Sequence, residues 1–207
     1  MQIMTRRIFG ATSLALMLAT SAVWAQQAPP QRIRGVIEKV DGNTLTVKAR
    51  GGETLTIKLA DNVRVATMLK ASINDIKQGA YIGVTAMPQP DGSQKAMGIH
   101  IFTEAQRKTV QARHSPWDRE PGSTMTNANV ETSVASVDGQ VMTVKYPDGE
   151  KKIVVPPNTN IVAMAPGSKD DLKPGAAFII MAAQKQPDGT LTAPAINVGR
   201  GGATPPM

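Results

Sequence analysis

The chain has 207 residues, a formal net charge of +7 and no cysteine. Without cysteine it cannot contain a disulfide bond, a thiol nucleophile, a thiolate zinc site or an iron–sulfur cluster. Its lysines and arginines are spread along the sequence without a run of five or more, which is typical of a soluble surface and leaves weak attraction to anionic glycans or membrane surfaces as the alternative.

Residues 1–25 have the pattern of an export signal. Arg6 and Arg7 form a basic start, a largely apolar run follows, and Val-Trp-Ala at 23–25 predicts cleavage after Ala25. The apolar run is shorter than the roughly 20 residues that a membrane-spanning helix needs, and no later segment approaches that length. We therefore predict a periplasmic protein without a transmembrane segment in the mature chain. The paired arginines fit general secretory and twin-arginine export alike.

The rest of the sequence contains one pattern twice. Three short motifs recur at a constant offset: Val-Asp-Gly at 40–42 and 137–139, Thr-Val-Lys at 46–48 and 143–145, and Gly-Glu at 52–53 and 149–150. A period of about a hundred residues is too long for a solenoid and suits a duplicated small domain. The predicted organisation is a first domain at 32–104, a linker at 105–129, a second domain at 130–199 and a disordered tail at 200–207.

Within each copy the pattern predicts β-strands. Polar and apolar residues alternate over 44–49 and 55–59, and the second copy repeats this period of two over 141–145. Asp-Gly and Gly-Gly pairs lie between the alternating runs, where glycine supplies the positive φ of tight hairpins.

One short helical segment interrupts the strands of each copy. Ser72 with Asp75, and Ser168 with Asp171, have the spacing of a capping box. Three strands, a helical segment and two strands in about 70 residues are the order of an OB-fold, a five-stranded Greek-key barrel. We therefore predict an all-β fold of two tandem small OB-like β-barrels, each with one short helical segment. The alternative is an unrelated small barrel with an extra strand at 63–68.

His100 is one of two histidines and lies in the last predicted strand of the first copy. Its neighbours Ile99 and Ile101 share the parity of the core, so His100 should point outward and lie on the barrel surface. Its counterpart in the second copy is Asn197, which means that the fold does not require a histidine there.

The linker carries the most varied chemistry of the chain, with His114, Trp117 and Asp118 close together. Binding residues often lie on such loops, so these three are the candidate ligand-binding residues. The alternative is that Trp117 anchors the linker against a barrel, while Asp118 and Ser123 form local turn hydrogen bonds.

Methionine is abundant, and thioethers with imidazoles can bind Cu(I) in an exported protein. No Met-x-x-Met run occurs after the signal segment, and filling of the core explains the methionines as well. The candidate metal ligands are His100, His114, Met97 and Met125, with Met68 and Met87 as further methionines.

Other classes of chemistry lack their residues. Adjacent acids such as Asp170 and Asp171 point in different directions, and the chain has neither a phosphate-binding glycine loop nor a Gly-x-Ser-x-Gly elbow. The few aromatic residues do not recur at matching positions, since Tyr81 corresponds to Ala177, so no stacking platform for nucleic acid is expected. We predict no catalytic residue, no cofactor and no nucleic-acid partner.

The two copies resemble a family of small exported bacterial domains of unknown function that are thought to be OB-like. The resemblance covers almost the whole mature chain but is carried mainly by turn and strand-entry motifs. These are Gly-Val-Ile at 35–37, Val-Asp-Gly-Asn at 40–43, Leu-Thr-Val at 45–47, Asp-Ile-Lys-Gln-Gly at 75–79, Leu-Lys-Pro-Gly at 172–175 and, in the linker, Pro-Trp-Asp at 116–118 and the run 121–127. Some two-domain members are labelled metal transporter permeases, which does not suit a chain without membrane spans. The family implies no catalytic residue.

The sequence thus predicts an exported, non-enzymatic binding or scaffolding protein of the periplasm. Its partner would be a periplasmic protein, a peptide or a glycan, held by the linker and the cleft between the barrels. The alternative is a periplasmic copper-type metal-handling protein. A hydrolase ranks third, because one histidine is replaced by asparagine in the repeat and the other lies in the linker.

Overall fold

The computed structural model describes residues 29–136 and 139–207, with 134–136 as backbone only. The predicted export signal at 1–25 and the Val-Asp pair at 137–138 lie outside the described residues. Within the described part, no helix is long and apolar enough to cross a membrane.

The described chain is all-β. In chain order its strands are β1 (Gln31–Asp41), β2 (Thr44–Ala49), β3 (Thr54–Ala71), β4 (Tyr81–Pro88), β5 (Gln94–Ile101), β6 (Arg113–Pro116), β7 (Thr124–Ser136), β8 (Gly139–Tyr146), β9 (Gly149–Val155), β10 (Asn160–Pro166), β11 (Ala177–Lys185) and β12 (Leu191–Gly199). A short helix, α1 (Glu104–Arg107), follows β5, and single 3₁₀ turns lie at Ile73–Asp75 and Lys169–Asp171.

The 3₁₀ turns occupy the predicted helical positions and are stabilised as the sequence suggests. The Ser72 backbone N–H donates to Asp75 Oδ2 at 2.7 Å, and the Ser168 N–H donates to Asp171 Oδ2 at 2.9 Å. These backbone hydrogen bonds are the main reason that the pKa values of both carboxyl groups are lowered. Each acid therefore caps its turn as a carboxylate.

The first barrel is a closed ring of five strands. β1, β2 and β3 form an antiparallel meander, β3 pairs in parallel with β12, β12 pairs with β11, and β11 returns to β1. Its interior is apolar because alternate residues of each strand face inward. Fully buried core side chains include Ile37, Leu45, Ile57, Phe178 and Ile196.

The second barrel closes in the same order. β7, β8 and β9 form the meander, β9 pairs in parallel with β5 at two positions, β5 pairs with β4, and β4 returns to β7. Its core includes Ile82, Val84, Ile99, Met142 and Ile153, all fully buried.

The barrels therefore differ from the tandem arrangement predicted at 32–104 and 130–199. Each ring takes three strands from one copy and a two-stranded hairpin from the other. The exchange arises because β3 remains extended for 18 residues and leads the chain out of the first barrel. The β4–β5 hairpin that follows therefore pairs with strands of the second barrel. The extra strand considered at 63–68 is the second half of β3.

The two copies meet where β3 pairs with β10 in antiparallel fashion. Met68 lies opposite Met164 in this register. The two methionines are also counterparts in the repeat, since each lies four residues before the serine that precedes a 3₁₀ turn. An approximate twofold axis therefore passes through this pair. A third buried apolar cluster, which includes both methionines and Trp117, lies at this junction.

The predicted tail at 200–207 is packed rather than disordered. The Arg34 Nε–H donates to the Met207 carbonyl oxygen, and Asn160 Nδ2 donates to the Thr204 carbonyl oxygen, both at 2.9 Å. Ala203 and Met207 are buried. Apolar contacts at the junction and these hydrogen bonds hold the tail in place.

Candidate functional site

A cavity of about 270 Å³ lies between the two barrels at this junction, and we refer to it as the junction cavity. Both barrels, the linker and the tail contribute to its walls. The lining includes Arg32, His100, Phe102, Gln106, Arg113, Trp117, Met125, Asn127, Met164, Met181, Asn197 and Met207. A site of this kind needs both copies, because neither barrel alone supplies all of its walls.

The structure separates the three linker residues that the sequence grouped together. Trp117 lines the junction cavity. Asp118 forms ion pairs with Arg32 at 3.2 Å and Arg34 at 2.6 Å beside it. His114 lies against the second barrel, where its Nδ1 is 2.8 Å from Thr126 Oγ1. The three side chains therefore do not form one constellation.

The linker itself is ordered. Its strand β6 pairs with the first part of β7, and a tight turn follows in which the Trp117 N–H donates to the Ser123 carbonyl oxygen at 2.8 Å. Ser123 Oγ donates to the Glu120 carbonyl oxygen at 2.7 Å, as expected for a local turn hydrogen bond. For Asp118 that expectation is wrong, because its carboxylate accepts a hydrogen bond from Arg34, 84 residues away in sequence. Trp117 is only 9 % exposed, so it anchors the linker and lines the cavity at the same time.

Trp117 and Asp118 hold one arginine between them. The Arg32 guanidinium carbon lies 4.0 Å from the centroid of the Trp117 ring, a cation–π contact. Burial raises the pKa of the Asp118 carboxyl, but hydrogen bonds and charge from Arg34 and Arg32 outweigh that effect and lower it overall. Asp118 is therefore ionised and positions Arg32 at the cavity wall.

His100 points out of its barrel, as predicted, but is not on the surface. It is 2 % exposed, and Phe102 and Asn127 lie next to it. Phe102 contacts its ring edge-on, with centroids 4.5 Å apart. Gly83 lies directly opposite on β4, and a Cβ atom there would overlap the imidazole. The prediction of a surface histidine is therefore wrong.

The repeat explains how the buried histidine fits. In the other copy the corresponding pair is Ile179 opposite Asn197, so a larger residue on one strand is matched by a smaller one on its neighbour. In the first copy the sizes are reversed, because the small residue, Gly83, is on the first strand of the hairpin and the large one, His100, is on the second. Because Asn197 and His100 both line the junction cavity, the approximate twofold axis places the two counterparts around one site.

Three buried polar atoms at the cavity wall have no hydrogen-bond partner among the described residues. They are His100 Nδ1, Trp117 Nε1 and Asn127 Oδ1. Buried polar groups are nearly always paired, and an unpaired one costs about 1–3 kcal/mol. Neighbouring atoms shield all three of them, so a ligand in the cavity would reach them only after a side chain moves.

The candidate metal ligands are only partly brought together. His100 and Met125 line the junction cavity, whereas His114 lies on the second barrel and Met97 is not among the lining residues. Met164, Met181 and Met207 line it instead. Among the described residues, no group of three or more His, Asp or Glu side chains is placed to hold a metal ion.

Comparison with protein-family models, curated proteins and solved structures gave no match for this chain. The resemblance to exported OB-like domains thus stays a prediction.

We expect Gly83→Ala to lower the free energy of unfolding by about 1–3 kcal/mol, the usual cost of overpacking. The added methyl group must displace His100 from β5. The double variant Gly83→Ala/His100→Asn should recover most of this loss, because the second copy already tolerates a larger residue opposite asparagine. Urea unfolding of the two single variants and the double variant measures the coupling. An equal cost of Gly83→Ala in both backgrounds would contradict the contact.

His100 should also make stability depend on pH. Burial lowers the pKa of His100 from 6.5 to about 3. Between these values the unfolded chain binds a proton at this histidine that the folded chain does not bind. Exclusion of this proton by the folded chain therefore costs no stability above pH 6.5, and the free energy of unfolding falls as the pH drops from 6.5 toward 3. From pH 7 to pH 5 the wild type should lose about 2 kcal/mol more than His100→Asn, since one pKa unit equals 1.36 kcal/mol. Urea unfolding at both pH values tests this, and parallel losses in the two proteins would refute it.

Proposed function

We propose that this chain is an exported, non-enzymatic binding protein whose ligand site is the junction cavity. The observation that carries the proposal is a single cavity between the two barrels, in which apolar side chains surround Arg32, Arg113 and Asn127. Clefts between domains with an apolar lining and a few polar groups are the usual form of small-ligand sites. The pattern of an export signal at 1–25 supports a periplasmic location.

We further propose that both barrels are OB-like. Each ring consists of a three-stranded meander and a two-stranded hairpin. The last strand of the meander pairs in parallel with the second strand of the hairpin, and the first strand of the hairpin pairs with the first strand of the meander. A 3₁₀ turn precedes each hairpin, as the Greek-key order predicts. In this proposal the duplicated barrels are the scaffold and the junction is the site.

One observation favours a second function, which is the handling of a soft metal ion. Met125, Met164, Met181 and Met207 line the same cavity as His100. Thioether and imidazole groups are the ligands that Cu(I) prefers. Methionine is also an adaptable lining for apolar ligands, so these side chains suit an organic molecule equally well.

The proposal is tested by blocking the cavity. Asn197→Phe should fill it from the β12 wall, whereas Asn74→Phe places the same ring on an exposed turn and serves as the control. The protein is purified from a native periplasm, and native mass spectrometry detects what it retains. We expect a bound small molecule in the wild type and in Asn74→Phe but not in Asn197→Phe. Equal retention by all three proteins, or by none, would refute the proposal.

A further inference from the structure

We infer that the junction cavity binds a small organic monoanion, a carboxylate on an apolar body. This inference rests on the proposed function and names the class of its ligand. It is carried by the charge, the apolar lining and the size of the cavity.

The charge of the lining selects an anion. Arg32 and Arg113 both line the cavity, and none of the described aspartates or glutamates does. Arg32 is partly neutralised by Asp118, while Arg113 forms no ion pair among the described residues. A site for a cation would be expected to have the opposite balance, because like charges repel each other. The lining therefore favours a carboxylate over Cu(I).

The polar residues of the lining fit such a ligand. The guanidinium groups of Arg32 and Arg113 carry several N–H donors, which form charge-assisted hydrogen bonds with carboxylate oxygens. Gln106 and Asn127 also line the cavity, and their amide groups can contact a hydroxyl of the ligand.

The remaining walls and the volume define the body of the ligand. Phe102, Met125, Met164 and Met181 present an aromatic ring and flexible thioethers, which adapt to an apolar group. A cavity of about 150 Å³ is enough to hold benzene. At about 270 Å³, the junction cavity holds an aromatic ring with a short acidic side chain.

The probes are 4-hydroxyphenylacetate and its neutral amide, 4-hydroxyphenylacetamide, titrated calorimetrically into the whole mature protein at low salt. We expect the acid to bind about tenfold more tightly than the amide, equivalent to one charge-assisted hydrogen bond. Arg113→Gln should weaken binding of the acid by a similar factor and leave the affinity for the amide unchanged. Lys77→Gln, which removes the same charge at an exposed turn, should change neither. Trp117 is the only tryptophan after the predicted cleavage site, so its fluorescence reports binding independently.

The other outcomes are distinct. Equal binding of acid and amide, abolished by Asn197→Phe, would overturn the inference and leave the proposed function intact. Tight binding of Cu(I) that is lost in Met164→Leu but kept in Met97→Leu, without binding of the acid, would overturn it in favour of the soft-metal function. Failure of all three probes, together with no retained molecule in the native purification, would overturn the inference and the proposed function together.

Discussion

Cut after Lys108, the chain should give two fragments that do not fold alone and that regain the native fold when mixed. Residues 29–108 contain the meander of the first barrel and the closing hairpin of the second. Residues 109–207 contain the reverse combination. Each fragment alone therefore has two incomplete rings with open edges and exposed core residues, so we expect it to lose essentially all of its stability.

A fragment could avoid this only by closing its meander with its own hairpin, and the core opposes that. The two hairpins differ at matching inward positions. If the first barrel were closed by the hairpin of its own copy, Ile82 would replace Phe178, Val84 would replace Ile180 and Gln94 would replace Leu191. The first two changes remove buried volume, at about 1 kcal/mol or more each. The third buries an amide that now accepts a hydrogen bond from Thr124 Oγ1 at 2.8 Å, and an unpaired amide costs about 1–3 kcal/mol. Together these costs are a large part of the stability of a small domain.

Amide dispersion in ¹H–¹⁵N NMR spectra measures the result. Each fragment alone should give a collapsed spectrum, and an equimolar mixture should reproduce the dispersed spectrum of the uncut protein. The uncut protein and a mixture containing scrambled 109–207 are the controls. A dispersed, monomeric spectrum from 29–108 alone would contradict the exchange of hairpins.

The sequence could predict the strands but not which hairpin closes which barrel. Alternation over 44–49, turn glycines such as Gly42 at φ +56° and the serine–aspartate turns are local features, and the structure has strands and turns at these places. The hairpins of the two copies follow the same pattern and pair through backbone groups, so either one satisfies the same local rules. Which hairpin closes which barrel is determined by the uninterrupted path of β3 and by differences between the two cores, such as Phe178 in one and Ile82 in the other.

The candidate site shows the same limit. Trp117 could be found because a varied segment stands out in the linker, and the outward parity of His100 follows from its neighbours. That His100 is buried could not be found, because its cover comes from segments distant in sequence. Met164 and Met181 join the cavity only because both copies meet at one axis. A site at the junction of exchanged barrels is thus a property of topology rather than of a motif.

The exchange also has a consequence for function. Because each barrel is closed by the other copy, the two barrels cannot separate by a simple hinge at the linker without breaking strand pairs in β3, β10 and their partners. The junction cavity is therefore held in shape by the fold itself. A preformed site of this kind spends little of its binding free energy on ordering.

A disulfide bond provides the most direct test of the exchange. Val36 on β1 lies opposite Ala177 on β11 in the register, and both side chains are at least partly exposed. Opposed residues on antiparallel strands have Cα atoms about 4.5–5.5 Å apart, which is within the range of a disulfide. The chain has no cysteine of its own, so Val36→Cys/Ala177→Cys introduces a single defined pair.

We expect this pair to oxidise completely and to stabilise the protein by about 5 kcal/mol, the chain-entropy value for a loop of about 140 residues. In a barrel closed by its own hairpin, Val36 would instead face Tyr81, the counterpart of Ala177. Val36→Cys/Tyr81→Cys is therefore the matched control, with its fold checked by circular dichroism, and it should stay reduced. Peptide mapping identifies the cross-link, and urea unfolding with and without reductant measures its effect. A cross-link in the control but not in the 36–177 pair would show that each copy closes its own barrel.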